Sequence, residues 1–143
     1  MIKITHAESA DADVIEPKHF YKDDPQWRDV LRNAITHWPA RTLSIDGKIL
    51  AIVGLTPIYA KVGEFWAIIS PDVAQKPVAF ARAVKDLLES YCEAHKLVRV
   101  QIVVPRPVKE AFDFALFLGF EPEGILKKYG PLGEDYVMMG RIF

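Results

Sequence analysis

The sequence predicts an α/β (α+β) protein whose elements follow the order β-α-α-β-β-β-α-β-α-β-β. Three observations lead to this prediction. Two long segments carry apolar residues at the i, i+3, i+4 and i+7 positions of an amphipathic helix. Between them, apolar segments meet at an Asp-Gly dipeptide, which is typical of a tight β-hairpin. A strand, a helix and two further strand-like segments then complete the chain.

Composition limits the class of protein and its partners. The chain of 143 residues is half apolar and 26% charged, which predicts one globular domain over residues 1–143. A net charge of −1 gives no basic footprint, so we do not expect nucleic-acid binding. No apolar run approaches the ~20 residues of a membrane span, so no membrane partner is expected. The four histidines lack metal-ligand spacing, so no metal is expected. A single cysteine, Cys92, and the absence of a signal-peptide core favour a cytoplasmic location.

The N-terminal elements can be assigned from local patterns. Alternation at Ile2 and Ile4 predicts an edge strand. Residues 9–15 are predicted to form a short helix, and the polar, proline-bounded residues 16–25 are predicted to form a loop. Apolar residues from Trp27 to Trp38 fall at helical spacing, and Asp24 before a proline predicts a capped helix start.

The central and C-terminal elements follow in the same way. Asp46-Gly47 predicts a type I′ turn that joins strands 41–45 and 49–56, with a third strand at residues 62–70. A short turn over residues 72–76 leads into a helix. The remaining elements predicted are a helix from Pro77 to about His95, a strand over 98–104, a helix over 108–118 ended by Gly119, and strands over 123–130 and 134–143.

Two segments of this pattern are distinctive. One is the strand that ends in Ile69-Ser70-Pro71 and leads through a short turn into the helix at Pro77; the other is LGFEPEG at residues 118–124. In this order and spacing, they resemble the acetyl-CoA half of the GCN5-related N-acetyltransferase (GNAT) superfamily. The resemblance covers nearly the whole chain, and its best local matches are residues 62–92 and 111–139. It implies a mixed central sheet of six to seven strands with about four helices, which opens between strands 62–70 and 97–104.

The resemblance implies acetyl-CoA as co-substrate and a set of residues that bind it. The end of the fourth strand would pair with the pantetheine amides, and the following loop and helix start would hold the pyrophosphate with backbone N–H groups. In this chain, two glycine positions of the family's phosphate loop are Gln75 and Pro77, and Pro77 has no N–H to donate. The alternative is that residues 72–80 are simply a turn and a helix with proline at its first position. The cofactor-binding residues implied are Ile68, Ile69, Ser70, Lys76, Val78, Ala79, Phe80, Arg106, Phe114 and Phe117.

The resemblance also implies a catalytic residue. Glu64 lies on the fourth strand, where many members place the carboxylate that accepts a proton from the substrate ammonium. The alternative is an ordinary polar residue on a half-exposed strand. The position of the family's tyrosine, which protonates the leaving thiolate, is Ala115 here, and Tyr129 and Tyr136 are possible substitutes.

Three residues of the implied cofactor site carry alternatives of their own. Arg106 follows the fifth strand and is placed to reach a phosphate or a carboxylate, although most surface arginines are only solvated. Phe114 and Phe117 would line the cofactor cleft, meet a partner subunit, or simply widen the buried face of their helix.

Two main functional hypotheses follow. The first is an N-acetyltransferase that uses acetyl-CoA and an amine acceptor of unknown identity. The second is a catalytically inactive protein of this fold that acts as a phage structural or protein-binding module, because residues 75–86 are also similar to bacteriophage-encoded proteins of the fold. The second hypothesis would allow a virion-associated location and a phage or host protein partner. A homodimer is compatible with either, and a CoA-dependent ligand sensor is a third class.

Overall fold

The computed structural model describes residues 1–18 and 24–143, and in this part of the chain the elements follow the predicted order. The strands are β1 (Lys3–His6), β2 (Ala40–Ile45), β3 (Lys48–Tyr59), β4 (Val62–Ile69), β5 (Arg99–Pro105), β6 (Glu121–Leu126) and β7 (Tyr136–Ile142). The helices are α1 (Asp11–Val14), α2 (Trp27–His37), α3 (Pro77–Ala94) and α4 (Lys109–Phe117). The strands pair in the order β1-β2-β3-β4-β5-β7-β6, with a parallel β4–β5 pair among antiparallel ones. The prediction of a mixed sheet with four helices is confirmed.

The chain forms two compact units. The first comprises Met1–Thr56 and Trp66–Phe80, and the second comprises Pro57–Phe65 and Ala81–Phe143. The assignment of residues 1–143 to one domain stays a prediction. None of the helices in the described residues is both long enough and apolar enough to cross a bilayer.

The hairpin of the first unit has the predicted turn. Asp46 and Gly47 have φ of +49° and +80°, and the flanking pair Ile45 and Lys48 closes the ladder. Two consecutive residues with positive φ characterise a type I′ turn, which matches the twist of the strands. The following strand, β3, extends to Tyr59, three residues beyond the predicted end.

The core of the first unit lies between its two helices and its strands. Trp27 and Ile35 of α2 pack at the edge of this core, whereas Val30, which the sequence placed on the buried stripe, is 62% exposed. Val30 precedes Leu31 by about 100° around the helix and therefore lies on its flank. The buried members of this cluster are Ala12, Ile15, Leu31, Ile52 and Ile68.

The predicted start of α2 was wrong by two residues. Gln26, not Asp24, occupies the N-cap position, and no side chain caps the helix. Asp24 instead organises the preceding turn, in which its side chain accepts a hydrogen bond from the N–H of Gln26 (3.0 Å) and its carbonyl accepts one from the N–H of Trp27 (3.2 Å). Of the predicted loop over residues 16–25, positions 19–23 lie outside the described residues.

In the second unit, α4 ends as predicted at Gly119. The φ of Gly119 is +94°, its N–H donates to Leu116 O (3.0 Å), and the N–H of Phe120 donates to Ala115 O (3.0 Å). This pair of bonds defines a Schellman motif, which satisfies the last carbonyls of the helix. The turn places Phe120 in the core, where its ring stacks against Phe65 at 6.4 Å between centroids.

The two C-terminal strands differ from the predicted ones. β6 begins at Glu121 rather than residue 123, because its pairing with β7 starts directly after the helix cap, with Glu121 opposite Gly140. It ends at Leu126, and the connection that follows contains Lys128 in the left-handed region (φ +54°). An extended strand cannot continue through such a residue.

Candidate active site

The end of β4 carries the backbone that the resemblance assigns to pantetheine. The N–H of Ser70 donates to Leu50 O of β3 (2.9 Å), so the backbone of Ser70 faces β3. Because backbone groups of successive residues in a strand face opposite edges, those of Ile69 face the edge away from β3. The carbonyl of Ile69 accepts a hydrogen bond from the N–H of Lys18 (2.7 Å). Two of the three predicted pairing residues are therefore already bonded within the chain.

The segment between β4 and α3 is a 3₁₀ turn rather than an open loop. It spans Pro71–Gln75, and the Oγ of buried Ser70 caps it by accepting from the N–H of Asp72 (3.1 Å). The N–H of Lys76 donates to Val73 O (3.2 Å), so this predicted phosphate donor is used by the turn itself. Lys76 can therefore bind an anion only through its exposed side-chain ammonium.

The start of α3 offers fewer donors than the sequence suggested. Pro77 is the first helical residue, and the N–H of Phe80 donates to Lys76 O (2.9 Å) as the first intrahelical bond. This N–H is therefore used within the helix, and a role of Phe80 in binding the cofactor stays a prediction. Val78 and Ala79 occupy the second and third positions, whose N–H groups have no acceptor within a helix. Two N–H groups and one lysine thus remain at this helix end.

In the second unit, Glu64 belongs to a hydrogen-bonded chain of side chains. Glu64 and Gln101 are register partners in the parallel β4–β5 pair, and Gln101 Nε2 donates to Glu64 Oε1 (3.2 Å). Arg99 Nη2 donates to Gln101 Oε1 (3.3 Å), and Arg99 also binds both carboxylate oxygens of Glu123 (2.9 and 2.7 Å). The amide of Gln101 therefore has a fixed orientation and presents its N–H to Glu64.

A glycine makes this chain of contacts possible. Arg99 lies on β5 and Glu123 on β6, with β7 between them, and Gly140 is the residue of β7 at the crossing point. A Cβ at Gly140 would lie 2.5 Å from Glu123 Oε2 and 2.7 Å from Arg99 Nη1. The hydrogen bond with Arg99 lowers the pKa of Glu123, and the same bond raises the pKa of Arg99. Sequence reasoning missed this network, although Arg99 and Gln101 alternate onto one strand face.

Tyr129 lies within electrostatic reach of Glu64. Burial raises the pKa of Tyr129 above its usual value, and the negative charge of Glu64 raises it further. The phenol is therefore protonated at neutral pH and can donate a hydrogen bond. Its ring lies 5.0 Å from that of Tyr136 at a tilt of 53°. Ala115, at the family's tyrosine position, is fully buried in α4.

The remaining predicted residues have different environments. Arg106 lies with Nη1 3.5 Å from Asp135 Oδ2, and its N–H donates to Asp135 O (2.9 Å), so Arg106 is anchored rather than only solvated. Phe114 is half-buried. Phe117 is 44% exposed with Lys85 Nζ 5.3 Å from its ring centroid, so it does not widen the buried face of α4.

Cys92 is a structural thiol. It is 1% exposed, and burial raises its pKa to about 11, so the nucleophilic thiolate is scarce at neutral pH. Cys92 lies beside a pocket of about 330 Å³ that is lined by residues such as Glu89 and Arg141, and these two side chains are hydrogen-bonded to each other (2.6 Å). The described residues hold no group of three or more His, Cys, Asp or Glu side chains suited to a metal ion.

No family model and no curated protein sequence matches the chain. Solved structures do. Ard1 from Thermoplasma volcanium is similar with a TM-score of 0.83 at 14% identity, and the match covers 99% of this chain and 97% of that one. The ribosomal-protein-S18-alanine N-acetyltransferase from Escherichia coli matches with a TM-score of 0.78 at 19% identity, covering 99% and 94%. An acetyltransferase of the GNAT family from Streptococcus pneumoniae matches with 0.74 at 18%, covering 100% and 99%. At these identities the likeness establishes the architecture, and the chain therefore has the fold of the GNAT acetyltransferases.

Proposed function

We propose that this protein is an N-acetyltransferase that transfers the acetyl group of acetyl-CoA to an amine. The observation that carries the proposal is the placement of Glu64 on β4, half-buried, with one carboxylate oxygen held by Gln101. A general base needs a fixed position near the proton that it accepts. The fold supports the proposal, because two of the similar structures named above, those from Streptococcus pneumoniae and Escherichia coli, are acetyltransferases.

Glu64 has a defined role in the proposed reaction. Its Oε1 accepts from Gln101, which leaves Oε2 to accept a proton from the substrate ammonium, directly or through a water molecule. Acetyl-CoA would supply an activated thioester; the free amine would form a bond to its carbonyl carbon as the C–S bond breaks, and the proton that the nitrogen then loses would balance the proton that the thiolate takes up. The protonated phenol of Tyr129 is a candidate to give a proton to the departing thiolate. Most of the rate enhancement would come from holding the amine and the thioester together.

The fit of the chain to acetyl-CoA is partial. Val78 and Ala79 N–H groups and the Lys76 ammonium suit a phosphate at the start of a helix. Pro77 removes one donor, and the Ile69 carbonyl is already hydrogen-bonded. The predicted roles of Arg106, Phe114 and Phe117 in holding the nucleotide belong to the same proposal.

The same observations favour a second candidate, a protein-binding module that keeps the fold without catalysis. A chain that no longer binds acetyl-CoA is expected to tolerate a proline where the phosphate needs an N–H donor. It is also expected to tolerate a hydrogen bond from its own backbone to the β4 edge that would pair with the cofactor. The two candidates differ first in cofactor affinity.

The test is calorimetric titration of acetyl-CoA and of free CoA into the wild-type protein, Pro77→Gly and Pro77→Ala. Both variants restore an N–H, and Pro77→Ala does so without adding the flexibility of glycine. We expect micromolar binding that prefers acetyl-CoA and is tightened by either substitution. No binding up to millimolar concentration by any of the three proteins would reject the enzyme and leave the module.

A second experiment tests Glu64. Thiol release from acetyl-CoA would be followed with a panel of amines that includes polyamines and peptides with free N-termini. Glu64→Gln should lower kcat by about 10²–10⁴-fold, the usual contribution of a general base, with an unchanged affinity for acetyl-CoA. Equal activity of Glu64→Gln and wild type would remove Glu64 from the mechanism.

A further inference from the structure

A short segment of the first unit, here named the strap (residues 15–18), is held firmly at its beginning. Ile15 is 1% exposed within the core cluster, and Pro17 is also buried. Arg28 of α2 donates from Nη1 to the carbonyls of Ala12 (2.6 Å) and Ile15 (3.3 Å). These contacts direct the chain from α1 toward the end of β4.

The strap ends on the β4 edge that faces away from β3. The N–H of Lys18 donates to Ile69 O at 2.7 Å, whereas the N–H of the next residue, Ser70, donates in the other direction to Leu50 O at 2.9 Å. Lys18 therefore contacts β4 in the way an added strand would, opposite to the β3 side.

We infer that the strap closes this edge of β4, so that acetyl-CoA and Lys18 compete for the carbonyl of Ile69. The inference rests on the proposed function, in which the pantetheine arm pairs with this same backbone. Acetyl-CoA binding then requires the Lys18–Ile69 hydrogen bond to break. In the free protein, the strap thus occupies the position that the pantetheine arm would take.

The competition is steric as well as chemical. A carbonyl oxygen has two lone pairs and can accept two hydrogen bonds. However, a backbone that donates to β4 at 2.7 Å lies at the spacing of a neighbouring strand, about 4.8 Å away. An extended pantetheine arm that pairs with Ile69 would need the same space. The strap and the arm therefore exclude each other.

A proline at position 18 separates the backbone bond from the side chain. Lys18→Pro removes the N–H that binds Ile69, while Lys18→Ala removes the side chain and keeps the N–H. A neutral hydrogen bond contributes about 1 kcal/mol net, which corresponds to about fivefold in a dissociation constant. We expect Lys18→Pro to bind acetyl-CoA about fivefold more tightly than wild type by calorimetry, and Lys18→Ala to match wild type.

Amide exchange gives a readout that does not depend on activity. In the free wild-type protein, labelled with ¹⁵N-lysine, the Lys18 N–H should exchange at least roughly tenfold more slowly than an unstructured amide. Saturating acetyl-CoA should speed the exchange of this amide, because the strap has detached. Binding by Lys18→Pro alone would also support the inference.

Three results would overturn the inference. An unprotected Lys18 amide in the free protein means that the strap is open, and a Lys18 amide that stays protected in the acetyl-CoA complex means that there is no competition. Equal affinities of Lys18→Pro and Lys18→Ala lead to the same conclusion. All three leave the proposed function intact. Failure of every variant to bind acetyl-CoA would instead refute the proposed function, and the competition with it.

Discussion

Replacing Gly54 by alanine should destabilise the first unit through a clash with a rigid ring. Gly54 lies on β3 and is buried, and the indole of Trp66 on β4 lies directly over its Cα. A Cβ at this position would fall on three carbon atoms of the Trp66 ring, far inside van der Waals contact. Neither a rotation of the methyl group nor a small shift can relieve such a clash.

The expected cost follows from the ways in which the protein can respond. Either β3 and β4 move apart or Trp66 leaves its place against the core cluster. Overpacking of a buried site costs typically 1–3 kcal/mol, and the rigidity of the indole favours the upper half of this range. For a chain of this size, about 2–3 kcal/mol lowers the Tm by roughly 6–12 °C.

The assay is urea unfolding followed by far-UV circular dichroism, with Gly124→Ala as the matched control. A Cβ at Gly124, which also lies in a strand, meets nothing within 4 Å, so this change should be neutral or stabilising. A double-mutant cycle with Trp66→Leu then isolates the clash. The reasoning is refuted if Gly54→Ala costs less than about 0.5 kcal/mol, or costs the same when Trp66 is already leucine.

Three further predictions concern the second unit. Because the pKa of Cys92 is raised to about 11, iodoacetamide should alkylate it at pH 8 roughly 100-fold more slowly than free cysteine, and at the free rate in denaturant; fast labelling of the native protein would contradict burial. Gly119→Ala places a side chain at φ +94° and close to a neighbouring arginine, so it should lower the free energy of unfolding more than Gly133→Ala, which has a similar φ (+79°) but open space around it. Equal losses of stability in urea unfolding would show that the nearby arginine makes no difference. Since Arg99 lowers the folded-state pKa of Glu123, the pair stabilises the protein above the unfolded-state pKa and loses its effect as the pH falls below about 4. Glu123→Gln should therefore cost at most about 1 kcal/mol at pH 7 and progressively less as the pH falls through the lowered folded-state pKa of Glu123, and a pH-independent cost would exclude the ion pair as its cause.

Features that depend on neighbouring residues were predictable from the sequence. The turn at Asp46-Gly47 and the helix end at Gly119 were confirmed, because each depends on a residue that tolerates positive φ. The order of helices and strands was predictable for the same reason, since apolar periodicity is local. The likeness to solved acetyltransferases then confirmed the fold that the segment around Ile69-Ser70-Pro71 had suggested.

What the tertiary structure decided are pairings between distant residues. The start of β6 depends on its pairing with β7, and the exposure of Val30 depends on which side of α2 meets the core. The hydrogen bond from Gln101 to Glu64 joins residues 37 positions apart. The bond from Lys18 to Ile69 joins a loop to a strand end. No local pattern encodes such contacts, because they form only when the sheet brings separate segments together. The sequence by itself therefore determined the elements and their order, while the folded chain decided which groups hold Glu64 and which backbone covers the edge of β4.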